Sequence, residues 1–359
     1  MIRTGYIVDR RNDLIWFLGL PLFALAFALY SQFALSAVAI ASIALWIEYP
    51  HHFVTFLRTY GLSDDWDRFK DRLIIGPIVI VGVTLGGLMY APLTITLVML
   101  LWRQQHFLMQ LHGFTRIYDF KARTGDASIG KWDLALNWVL YLNMFLASPL
   151  FTRLWARNLT DFGIPINADT VRIVHQCSWA VTAAFAVGYV GHLLRGIKDG
   201  YAINPIKYLY LGLSYSMLYI VSWHTASVLV HAVANMIIHG IQYNVIVYWY
   251  LRRKFEKEEN TTSWIARLVR PGNVVAFVAL GVLYAVIYQL LRGGNLDEFG
   301  FGLFRFEYAS IPALSLGPMS EQTAFELFAS TLLFLPGLLH IYFDSFIWRV
   351  RETKVQGGL

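Results

Sequence analysis

Apolar runs of about twenty residues, the length that carries a helix across roughly 30 Å of hydrocarbon, recur along the whole chain. In lipid, single segments of this kind satisfy their own backbone polar groups only as helices. The pattern predicts ten spans, over 14–31, 33–57, 73–90, 92–113, 133–152, 171–194, 207–222, 226–251, 272–291 and 323–348. Only Trp223, His224 and Thr225 part the seventh from the eighth. The stretch 58–72, with Asp64, Trp66, Phe69 and Arg72, reads as a short interfacial helix on the cytoplasmic side. The Gly-rich aromatic loop from Leu291 to Gln322 (Phe299, Phe301, Phe304, Phe306, Tyr308) reads as a lid or plug on the outer surface. Neither a fixed repeat nor a soluble domain stands out. The expected fold is therefore an all-α polytopic membrane bundle, a single transmembrane domain over 1–359.

Composition agrees: 57% of residues are hydrophobic and 14% charged, where a soluble domain carries about 25% charged. The net charge of +6 is unevenly spread. One set of loops holds Arg116, Lys121, Arg123 and Lys131, then Arg195, Lys198 and Lys207, then Arg252, Arg253, Lys254, Lys257, Arg267 and Arg270. Both termini join that set, with Arg349, Arg351 and Lys354 at the end. The opposite loops are very short or carry scattered basic residues balanced by acids (Asp161, Asp169, Asp297, Glu298, Glu307). The positive-inside rule then places both termini in the cytoplasm, as an even number of spans requires, and the protein in the inner (cytoplasmic) membrane as a multi-pass chain. Basic charge is accounted for by topology, so nucleic acid is not an expected partner. A single cysteine, Cys177, excludes an internal disulfide and a thiolate cluster. The first apolar run follows Arg3, Arg10 and Arg11 as in a signal peptide, but no small-residue cleavage site stands out, so a retained first helix is expected.

Ionisable groups within spans are costly and by default mark function. Eight of the ten histidines fall in or at the ends of spans: His51, His52, His106, His112, His192, His231, His239 and His340. The even-numbered spans all run from outside to inside, and each carries at least one of these histidines in its inner half, although His231 lies near the start of its span. Five helices thus deliver imidazoles to one depth, which predicts a buried polyhistidine metal site on the cytoplasmic side. Glu48 stands three residues before His51 and four before His52, so a carboxylate and an imidazole share a helix face. Glu-x-x-His is also the spacing of di-iron carboxylate bundles. His231, Asn235 and His239 form one stripe, and His340 and Asp344 lie one turn apart. His106 is expected in the site with Gln110 one turn on, whereas His112 borders Gly113, where the helix is expected to end. The roles of His112 and His192 stay open. Imidazole with carboxylate and no thiolate suits iron, less strongly zinc, copper or manganese.

Several of these residues sit in a recognisable arrangement. Pro50-His51 on an early span, His106-Phe107 on a middle one, repeated histidines on a late helix, and His340-Ile341-Tyr342-Phe343-Asp344 followed by Phe346-Ile347-Trp348-Arg349 resemble the bacterial β-carotene oxygenases of the Brp/Blh type. His52 and Asn235 depart from that pattern. The resemblance implies iron ligands at His51, His106 and the His231/His239 helix, and cleavage of a carotenoid with O2. The expectation is a membrane-embedded non-haem iron oxidoreductase, with one or two irons and O2 as co-substrate. It would act as an oxygenase or desaturase on a lipid or isoprenoid in a channel lined by aromatics and Met109. An electron donor or a membrane complex would be its partner. A b-type haem electron-transfer protein and a metal- or proton-coupled transporter remain alternatives.

Overall fold

The computed structural model describes residues 1–125, 127–161, 163–257, 263–291 and 335–359. The expected lid and the first part of the tenth span lie outside the described residues. Among the described residues every regular element is a helix. In order these are α1 (Arg10–Ala34), α2 (Ala37–Gly61), α3 (Ser63–Tyr90), α4 (Pro92–Ala122), α5 (Ala127–Ala147), α6 (Pro149–Asp161), α7 (Ala168–Lys198) and α8 (Pro205–His224). Then come α9 (Val228–Glu256), α10 (Trp264–Leu268), α11 (Val274–Leu291), α12 (Leu335–Ile347) and α13 (Thr353–Gly358).

Four helices, α1, α3, α7 and α9, are long and apolar enough to cross a membrane, and α5 with α6, bent by 70°, makes a fifth if taken as one span. This fits an α-helical membrane protein. Helices α2 and α4 match them in length, but Glu48, His51, His52 and Arg58 on one, and Arg103, Gln104, Gln105, His106 and Gln110 on the other, lower their hydropathy. The same side chains that suggest chemistry thus weaken the span signal.

Helix ends differ from the span ends for a physical reason. Residues 63–72 form no separate interfacial helix but the opening turns of α3, where Asp64 and Asp65 favour the positive end of the helix dipole. Gly113 does not end α4, which continues to Ala122. Charged residues leave lipid without leaving the helix, because Lys, Arg and Glu are good helix formers.

The chain divides into two compact units, one of Met1–Ile40 with Leu108–Gln242 and one of Ala41–Phe107 with Tyr243–Leu359, where the sequence reads as a single domain. In the first unit α5 packs on α7, and α1 packs on α8 and on the opening of α9. Its interior holds an ionic knot. Lys207 Nζ, 1% exposed, donates to Asp119 Oδ2 at 3.0 Å and to Asp133 Oδ2 at 2.7 Å. Arg116 adds a contact to Asp119 at 2.8 Å, Tyr189 donates to Asp133 Oδ1 at 2.7 Å, and Thr124 donates to Asp119 Oδ1 at 3.1 Å. Gly125, at φ +78°, makes the turn that closes over Asp119, a conformation that glycine adopts at no steric cost. Burial raises the Asp119 carboxyl above its usual range despite the cations beside it.

In the second unit α12 packs on α3 through Phe69, Leu73, Phe343, Phe346 and Ile347, and Tyr49 of α2 packs with Ala285 and Tyr288 of α11. Arg58 is fully buried. Its Nη2 donates to the Ile347 carbonyl at 2.6 Å, closing the end of α12, and its Nε donates to Asp65 at 3.3 Å. The guanidinium lies 3.8 Å from the Trp348 ring centre and 4.2 Å from that of Tyr250. This lock sets the height of α12, the helix on which His340 and Asp344 stand.

Candidate metal centre

Four helices of the second unit converge on one polar cluster. From α2 come His51, His52 and Thr55, from α4 His106, from α9 Tyr243, and from α12 His340 and Asp344. Spacing of four residues puts His51 with Thr55, and His340 with Asp344, on one face of their helices. Gly337 lets α12 lie close to α2, since a β-carbon there would stand 3.2 Å from His52 Cε1. The four imidazoles are nearly sealed, at 1% exposed for His51, 5% for His52, 8% for His106 and 1% for His340.

His340 is the hub. Its ring centre lies 4.6 Å from that of His51, 5.1 Å from His52, 4.8 Å from His106 and 5.1 Å from Tyr243. The Nε2 atoms of His106 and His340 are 3.0 Å apart, and Asp344 Oδ2 is 4.0 Å from the first and 3.8 Å from the second. A point equidistant from these three atoms is about 2.1 Å from each, inside the roughly 2.0–2.2 Å of imidazole and carboxylate bonds to a metal. Buried histidines within metal-binding distance of one another are therefore present. Two imidazoles and one carboxylate, with no thiolate, also form a chemically coherent donor set for a transition metal. His52 Nδ1 has no hydrogen-bond partner among the described residues.

A second row of groups orients the first. Thr55 Oγ1 is 2.6 Å from His340 Nδ1 and 2.8 Å from Tyr243 Oη. Tyr243 Oη donates to Asp344 Oδ1 at 2.6 Å and accepts from Trp348 Nε1 at 3.2 Å. Neither Thr55 nor Tyr243 figured in the sequence reading. The signal that could have found them is the four-residue step from His51 to Thr55 and from His239 to Tyr243.

The other expected residues lie as follows. Glu48 Oε1 accepts from Arg103 Nη2 at 3.0 Å, in a pair that is partly exposed. His231 and His239 belong to the first unit. The His231 ring meets Phe151 edge-on at 4.8 Å, and its Nε2 has no hydrogen-bond partner among the described residues. His239 sits in a π-helical turn over Ile237–Ile241, and its carbonyl accepts from Gln110 Nε2 at 3.0 Å. Turns of this kind are rare and recur at functional sites. Gln110, expected beside His106, thus serves the His239 backbone. His192 stacks on Trp132 at 4.8 Å, and His175 meets Thr152 at 2.9 Å.

No protein-family model, curated protein or solved structure matches the chain.

Proposed function

We propose that this protein is a membrane-embedded, non-haem iron oxidoreductase of the oxygenase or desaturase type, which uses O2 on an apolar lipid or isoprenoid. The observation that carries the reading is the triangle of His106 Nε2, His340 Nε2 and Asp344 Oδ2, sized for one ion. Two histidines and one carboxylate with positions left open is the donor set of non-haem iron oxygenases. Iron, when bound, would supply the change of redox state and the open positions that chemistry with O2 requires. The protein's own residues hold that ion and keep bulk water out, since His51, His52 and His340 are almost wholly covered. The resemblance to the Brp/Blh enzymes supports an isoprenoid or carotenoid as the substrate.

For the pair His106 and His340, the same distance argues against a bis-histidine haem. Two axial imidazoles across a haem iron stand about 4 Å apart, twice a bond of about 2.0 Å. Here the two Nε2 atoms are 3.0 Å apart. Purified protein should therefore contain iron and show no Soret band. A strong Soret band would overturn the reading in favour of a b-type haem protein, and absence of any transition metal would remove the centre altogether.

The membrane reading extends to ten spans and cytoplasmic termini on the strength of the Lys/Arg bias. Reporter fusions after Arg123, Arg195 and Lys257 are expected to read cytoplasm. An external signal at any of the three would refute this topology.

A further inference from the structure

The hydroxyls around His340 can be ordered by counting protons. As a ligand to a cation Asp344 is ionised and only accepts, so the single Tyr243 hydroxyl proton goes to its Oδ1, 2.6 Å away. Trp348 Nε1 only donates, so its contact of 3.2 Å uses a lone pair of Tyr243 Oη. Thr55 must then donate to Tyr243 across 2.8 Å, because the phenol has no second proton to give. Thr55 has now spent its own proton, and its contact of 2.6 Å with His340 requires Nδ1–H of the imidazole as donor. A neutral His340 with its proton on Nδ1 presents a lone pair at Nε2, the atom that faces His106 Nε2 and Asp344 Oδ2.

We propose that Thr55 and Tyr243 are positioning residues that set both donors of α12 at once: the tautomer of His340 and the rotamer of Asp344. The proposal rests on the metal-centre reading above. Its distinguishing feature is closure. His340 and Asp344 lie one turn apart on α12, and the path His340–Thr55–Tyr243–Asp344 leaves that helix at one donor and returns at the other. Turning any one link the wrong way leaves two protons, or two lone pairs, facing each other inside the protein. The loop therefore has a single sense as long as Asp344 is ionised. It acts through the ligands, as hydrogen-bonded partners of ligating groups generally do, and such partners change metal affinity by about 10–100-fold.

Thr55→Val keeps the shape of the side chain and deletes its hydrogen bonds to Tyr243 and His340, along with a longer contact of 3.4 Å to the His51 carbonyl. Thr55→Ser keeps the hydroxyl. Titration of the purified full-length protein with Fe(II) and with Co(II) is expected to show affinity lowered about 10–100-fold in Thr55→Val, with a shift in the visible Co(II) bands, and restored in Thr55→Ser. Tyr243→Phe should weaken binding in the same range.

Unaltered affinity and unaltered bands in Thr55→Val, with metal bound by the wild type, would overturn the positioning role and leave the centre standing. Wild-type protein that binds neither metal would overturn the centre itself. The positioning role would fall with it, since it acts only through the two ligands of α12. Equal losses in Thr55→Val and Thr55→Ser would trace the effect to packing and likewise refute it.

Discussion

Replacing His340 with alanine is expected to empty the metal centre. His340 is the group around which the others are arranged, with its Nε2 3.0 Å from that of His106 and 3.8 Å from Asp344 Oδ2. Removing it leaves His106 and Asp344 4.0 Å apart with nothing to complete the triangle. Tetrahedral sites in small zinc domains bind with apparent free energies of about 10–16 kcal/mol. One ligand's share of that, about 3–4 kcal/mol, corresponds to roughly 100–1000-fold in affinity. Metal analysis after purification should therefore find His340→Ala nearly metal-free. His192→Ala, which unstacks a ring from Trp132 in the other unit, should retain the wild-type content. Full metal content in His340→Ala would place the ion elsewhere. A proportional loss in both variants would mean that the alanine changes act through folding.

The second large effect is expected for Lys207→Met. The ammonium is buried to 1% exposure between Asp119 and Asp133, at 3.0 and 2.7 Å. Methionine preserves the length of the stem and removes the charge, so two carboxylates would face each other with Arg116 as the remaining cation. Breaking a buried ion pair by deleting one partner costs about 3–5 kcal/mol, mostly because the abandoned charge stays desolvated. Denaturant unfolding in detergent micelles should show a loss of that size. Adding Asp133→Asn to Lys207→Met should recover part of it, since one of the stranded charges disappears. Unfolding of Lys207→Met that coincides with wild type would show that the knot contributes nothing to stability.

How legible was this architecture in the sequence? The helices were, because apolar runs of this length leave the backbone few alternatives. Their ends were not: the charged turns at Ser63–Arg72 read as a separate interfacial helix and those beyond Gly113 as a loop, whereas each belongs to a longer helix. His106, His340 and Asp344 stood out as ionisable residues in apolar surroundings. Their convergence did not, since His106 and His340 are 234 residues apart and no local spacing encodes such a contact. Glu48 shows the limit of face arguments. Three-residue spacing puts it beside His51, yet its carboxylate engages Arg103, whose guanidinium can follow it. Thr55 and Tyr243 were missed because a hydroxyl in an apolar helix carries little signal until the groups it serves are known.

The separation of Thr55 from His340 by 285 positions has a consequence for biogenesis. A ribosome that has made His51, His52 and His106 must still synthesise most of the polypeptide before the hub exists. During that interval these imidazoles pass through insertion with neither His340 nor Tyr243 to meet them. If the centre holds a metal as proposed, the triangle of His106, His340 and Asp344 forms only after α12 is made, and loading of that site would follow completion of the chain.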